Sequence, residues 1–199
     1  LAIGGGLSNL VPDVAWGEIA FDGDVRGTLD DLEATGALSL TGLETAPADV
    51  GQATLDATLR RAGTRFEATL SGVADDVRID RIGPALMGRT DLALEAAYES
   101  SQVTLNRLSV ASPLLTAEAQ GEADLAANTA QLGYALGTPD LAPIAEAYGV
   151  DAAGRLDAEG RLDGALDAPR LDGTLALEDI AYDGQPYGRL ALDHDVTLG

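Results

Sequence analysis

Apolar and polar residues alternate one by one along most of the chain. From Arg155 to Asp167, Leu156, Ala158, Gly160, Leu162, Gly164 and Leu166 fall on one side; Arg155, Asp157, Glu159, Arg161, Asp163 and Asp167 fall on the other. Successive side chains of a strand point to opposite faces, so this spacing predicts a strand with one dry and one wet face. Ile19, Phe21, Val25 and Leu29 oppose Glu18, Asp22, Asp24 and Arg26 in the same way, and Leu55 and Leu59 oppose Asp56 and Arg60. Leu92 and Leu94 oppose Asp91 and Glu95, and Leu190, Leu192 and Val196 oppose Arg189, Asp193, Asp195 and Thr197. Alternation of this kind belongs to antiparallel sheets, whereas parallel strands are apolar on both faces.

Roughly a dozen strands follow from this rhythm, divided by turn residues. The expected turns are Leu43–Gly51, Arg61–Thr64, Glu99–Gln102, Ala111–Pro113, Ala126–Thr129 and Asp183–Pro186. One stretch departs from it. Thr138-Pro139-Asp140 precedes Leu141, Ile144, Ala145 and Tyr148, then Gly149. A cap, apolar residues three and four apart and a glycine stop predict a short helix near 140–148. A weaker helical or loop segment is expected over Leu1–Pro12.

The chain also repeats itself. A shift of 137 positions lays Gly17 on Gly154, Gly23 on Gly160, Gly27 on Gly164 and Gly36 on Gly173, without a gap. The same shift superposes Leu29-Asp30 on Leu166-Asp167, Leu38 and Leu40 on Leu175 and Leu177, and Leu55-Asp56 on Leu192-Asp193. Repeat units are therefore expected at about 17–61 and 154–198, with a helical insertion at about 139–149. Repeats of this kind build extended surfaces.

Composition removes most chemistries. Net charge is −21 across 199 residues, from 33 acids against 12 bases, and every base is Arg. Nucleic acid would be repelled. Without Lys there is no P-loop lysine or Schiff base, and without Cys no disulfide, thiolate nucleophile or Cys-ligated zinc. The single His194 leaves one candidate for a catalytic triad. There is no run of 18 apolar residues and no signal-peptide pattern. The first residue is Leu1 and the only Met is Met87. The expectation is a piece, spanning 1–199, of a longer protein.

Individual motifs are weak. Asp22, Asp24 and Glu33, with Gly27 and Leu29 between them, resemble a calcium loop. Arg26 occupies a ligand position, however, and the repeat replaces Asp24 by Arg161 and Glu33 by Arg170 while keeping the glycines. A turn is the better reading, and no metal or cofactor is expected. His194, between Asp193 and Asp195, reads as an ordinary strand histidine rather than a catalytic base. Gly4-Gly5-Gly6 lacks the spacing of a phosphate loop. The acids lie along the wet faces and read as solvated surface.

The dry face needs a cover. Its residues are mostly Leu, Val, Ala and Gly, with two Phe and one Trp in the chain. One short helix cannot cover a dozen strands. Either the sheet curls on itself or it forms a trough covered by a ligand. At roughly 4.8 Å per strand, such a trough would be about 55–60 Å long. An outer-membrane barrel would carry aromatic girdles, which this chain lacks.

The run Ala153-Gly-Arg-Leu-Asp-Ala-Glu-Gly-Arg-Leu-Asp-Gly-Ala-Leu-Asp-Ala-Pro-Arg-Leu-Asp-Gly-Thr-Leu-Ala-Leu-Glu-Asp-Ile-Ala-Tyr-Asp-Gly, then Tyr187-Gly-Arg-Leu-Ala-Leu-Asp, resembles the repeats of the TamB family. This is the inner-membrane subunit of the translocation and assembly module, within the AsmA-like superfamily. Leu141-Ala-Pro143-Ile-Ala resembles the segment that enters such a repeat. The similarity covers about 140–199. The copy at 17–59 has Leu32 where the family signature has a proline, matched here by Pro169. Residues 60–136 share only strand rhythm.

The resemblance implies a periplasmic protein, anchored in the inner membrane of a Gram-negative bacterium by parts outside this segment. Its curled sheet, a β-taco, would carry phospholipid in a hydrophobic groove. A TamA-like outer-membrane barrel would be its partner in outer-membrane protein assembly. The combined expectation is an all-β chain: a long curled antiparallel sheet with an apolar concave face, non-enzymatic, conducting lipid passively. Expected groove-lining residues are Ile19, Phe21, Val25, Leu29, Leu38, Leu40, Leu55, Leu59, Phe66, Leu70, Leu92, Leu94, Leu156, Leu162, Leu166, Leu175, Leu177, Leu190, Leu192 and Val196. The alternatives are a β-augmentation scaffold or chaperone for outer-membrane proteins, and an acidic, calcium-stabilised surface adhesin.

Overall fold

A computed structural model describes residues 2–4, 14–15, 17–45, 48–79 and 83–197. Eleven long strands follow one another: β3 (Glu18–Thr28), β4 (Asp31–Thr45), β5 (Ala48–Ala62), β6 (Arg65–Ile79), β7 (Gly83–Glu99), β8 (Gln102–Ala111), β9 (Thr116–Asp124), β10 (Thr129–Thr138), β11 (Ala152–Ala165), β12 (Ala168–Tyr182) and β13 (Gln185–Thr197). Each pairs antiparallel with its neighbour in sequence, so the topology is a simple meander. Two short strands, β1 (Ala2–Gly4) and β2 (Val14–Ala15), pair with β3 and β4. The sheet stays open: no pairing joins β3 to β13 among the described residues.

One expectation is narrowed and one is corrected. The connection expected over Leu43–Gly51 lies there but is tighter, with β4 running to Thr45 and β5 resuming opposite it at Ala48. Gly42 takes a positive φ inside β4 and kinks that strand just before the connection. Of the Leu1–Pro12 segment, Ala2–Gly4 is a strand paired with Glu18–Ala20. The rest of that segment, with the Gly5-Gly6 part of the glycine run, lies outside the described residues.

Elsewhere the turn chemistry is local. Asp183 and Gly184 both have φ > 0, the geometry of a tight hairpin that follows strand twist. Ser100 and Ser101 adopt the same region between β7 and β8. Asp124 Oδ1 accepts N–H bonds from Ala126 and Ala127 at 2.9 Å, shaping the β9–β10 connection. The helix α1 spans Ala142–Ala147; Asp140 Oδ1 accepts the Ala142 N–H at 3.0 Å, and Gly149 ends the segment at φ 70°.

The two repeat copies have the same pairing register. Gly23 faces Gly36 as Gly160 faces Gly173, and Leu38 faces Leu55 as Leu175 faces Leu192. Both pairings shift by 137 on each strand, so β3–β4–β5 corresponds to β11–β12–β13.

The sheet curls. Leu115, in the connection from β8 to β9, packs on buried Ala53, Ala74 and Val77 of β5 and β6, several strands away in the order. Likewise α1 touches both β7 and β11. A flat sheet would hold these elements apart, since neighbouring strands are about 4.8 Å apart.

Candidate functional site

Residues directly opposite each other on paired strands share a face. Following the register therefore traces rows across the whole sheet. One row reads Phe21, Leu38, Leu55, Gly72, Leu92, Val110, Ala117, Leu136, Ala158, Leu175 and Leu192, apolar at every position. A second reads Val25, Ala34, Leu59, Ala68, Ala96, Leu105, Gly121, Leu132, Leu162, Leu171 and Val196. Eleven strands at about 4.8 Å give each row a length of about 48 Å.

Every expected lining residue on a strand belongs to this face. Besides the rows, Ile19 faces Leu40, Leu70 faces Leu94, Phe66 faces Tyr98, and Leu156, Leu177 and Leu190 stand side by side. Leu29 and Leu166 sit instead in the turns after β3 and β11. Sequence reading missed Leu105, Leu108, Val110, Leu132, Leu136 and Leu171.

The face is only partly covered. Several of its alanines are buried, Ala34, Ala53, Ala57, Ala74 and Ala130, while Leu29 is 81% and Val25 59% exposed. Larger side chains along β13 are about half exposed. An open apolar hollow of about 400 Å³ lies at one rim, among Leu29, Leu59, Phe66, Ala68, Tyr98 and Val103. Arg61 closes its edge with its guanidinium 5.2 Å from the Phe66 ring centre.

Glycines let the backbones close up on this face. A Cβ on Gly173 would lie 2.2 Å from the Glu159 carbonyl oxygen and 2.7 Å from Gly160 Cα. Gly23 and Gly36 are equally crowded in the first copy. There the Phe21 ring lies over Gly23. In the second copy Tyr134 reaches from β10 over Gly160 and Gly173, and its Oη is 2.5 Å from Nε2 of His194 on β13. His194 thus sits on the apolar face as its parity indicated, with a partner that sequence spacing did not show. Burial, and secondarily the negative charge of Asp172, pushes the Tyr134 hydroxyl up from its ordinary value, so it remains a donor.

The opposite face is ionic. Arg60 pairs with Glu33 at 3.2 Å, Arg65 with Glu67 at 2.8 Å and Arg155 with Asp157 at 3.2 Å. The Asp22–Glu33 segment is a hairpin of two paired strands, not a twelve-residue loop. Glu33 is held by Arg60 and Asp24 by Arg26. Among the described residues no three acidic or histidine side chains converge to hold a metal ion. A wider hollow of about 800 Å³ is lined mainly by polar-parity residues, including Glu118, Gln120, Glu159, Arg161 and Asp172. Concavity is therefore not confined to the apolar face. A strongly twisted sheet is saddle-shaped, and each face is concave along one direction.

No family model, curated protein or solved structure matches the chain.

Proposed function

We propose that the chain is a lipid-conducting β-groove segment of a TamB-like protein, periplasmic in a parent anchored in the inner membrane. Acyl chains lie against the apolar rows while polar head groups stay near water. The observation that supports this is the unbroken apolar row from Phe21 to Leu192 across an open sheet. A monomeric soluble protein rarely leaves so long an apolar surface uncovered without a use for it. Each methylene moved from water contributes about 0.8 kcal/mol, so a chain is retained. A uniform aliphatic wall makes that energy nearly independent of position, so the chain slides. No reactive group takes part, and the role is transport with support of outer-membrane protein assembly beside a TamA-like barrel. Lipid extracted from the purified protein, with its loss in Leu162→Asp or Leu175→Asp, is the test.

A second reading rests on the sheet edges. The outer side of β13 and most of the outer side of β3 carry no paired strand among the described residues. Such edges accept a further strand by β-augmentation. In that scaffold role, edge substitutions would impair outer-membrane protein assembly more than groove substitutions do.

A further inference from the structure

The central line of the apolar face changes character between the two repeat copies. Between the two rows above, Leu70, Leu94, Leu108 and Ala119 are followed by Tyr134, then Gly160, Gly173 and His194. In the first copy, Ala57 takes the place of His194 and Phe21 covers Gly23. Only over the glycine floor of the second copy do two hydrogen-bonding side chains stand, Tyr134 from the preceding strand β10 and His194 from β13.

Donor counting makes this consequential. Tyr134 has one O–H and a neutral imidazole one N–H. If the hydroxyl donates to Nε2, the Nδ1–H is left over. If Nε2–H donates to the hydroxyl oxygen, the O–H is left over. Either tautomer leaves one donor, and no other hydrogen bond to these side chains is found among the described residues. A half-buried donor on an apolar surface needs an acceptor, from water or from a ligand.

We infer that Tyr134 and His194 form a polar subsite within the apolar face, which takes an acceptor oxygen of the head group of a bound amphiphile. The inference rests on the lipid reading above and adds where the head sits: against the Tyr134–His194 pair, with the tail along the aliphatic rows. The glycine floor supplies the room for the pair itself, since a Cβ on Gly160 would come within 2.8 Å of the Tyr134 hydroxyl.

The test uses the 199-residue chain with two amphiphiles of equal tail length, each below its micelle-forming concentration. Dodecylphosphocholine offers phosphate oxygens; dodecyltrimethylammonium offers no acceptor. The attraction of the cationic head to the acidic chain is common to all variants, so the ratio of the two affinities isolates the subsite. In the double variant Tyr134→Phe, His194→Ala the preference for dodecylphosphocholine should fall by about three- to tenfold, the worth of one hydrogen bond. Each single variant still leaves one spare donor, as the wild type does, and should keep most of the preference. Because His194 is the only histidine, its imidazole NMR signals identify themselves, and they should move with dodecylphosphocholine and not with dodecyltrimethylammonium. An unchanged affinity ratio in the double variant, or imidazole signals that ignore both amphiphiles while both bind, overturns the subsite alone. Failure of both to bind overturns the groove reading itself.

Discussion

Arg170 grips Asp195 with two hydrogen bonds, Nε to Oδ1 at 2.7 Å and Nη2 to Oδ2 at 2.5 Å, tying β12 to the last strand, β13. The bidentate fit is the strong form of this pair. It holds the Asp195 carboxyl below its ordinary range, chiefly through the hydrogen bond from Arg170. A depressed folded-state value means the pair's contribution is present above the unfolded pKa, about 3.9, and is lost as pH falls through the folded value. Asp195→Asn should therefore lower the melting temperature modestly at neutral pH. The difference from wild type should shrink as pH drops below about 4. Because the pair is exposed, it should also shrink at high salt. Thermal melts across pH at two salt concentrations measure this.

The glycine pairs make a steric prediction. Gly173→Ala drives a Cβ into the Glu159 carbonyl and Gly160 Cα, both backbone, so strands β11 and β12 must part. A loss of about 1–3 kcal/mol in urea denaturation is expected. Gly133→Ala is the control. The nearest atom to its Cβ is 3.9 Å away, and it should be neutral or slightly stabilising.

These contrasts also show what was legible in the sequence. Clean alternation on β3, β5, β11 and β13 revealed the dry face because nothing interrupts the parity of its apolar residues there. On β8 the register slips between Leu105 and Leu108, which switches apolar residues from odd to even positions and hides Leu108 and Val110. On β9 the dry face is Ala117, Ala119, Gly121 and Ala123, too small to stand out against a chain rich in both residues. The glycine spacing marked the repeat, but which glycines face each other is a property of pairing. The Tyr134–His194 contact, 60 residues apart, depends on two intervening strands and leaves no local signal. Short-range rules placed the β4–β5 connection within Leu43–Gly51 but made it too wide, because the strands stay paired up to Thr45 and Ala48.

Calcium should not stabilise the fold. Asp22, Asp24 and Glu33 are spread over two strands, and Glu33 and Asp24 already pair with arginines. Melting temperatures in millimolar calcium and in chelator should agree. A calcium-dependent rise of several degrees would favour the adhesin alternative, since a ligand bound only to the folded state raises its stability.

The central claim is that the apolar rows hold lipid. Native mass spectrometry of the purified chain, with lipid extraction from the same sample, tests it most directly. Co-purifying phospholipid at a defined stoichiometry, lost in Leu162→Asp and in Leu175→Asp while their melting stays cooperative, is the predicted result. A lipid-free wild-type chain that is compact and melts cooperatively would contradict it, because the apolar rows would then be closed on their own core.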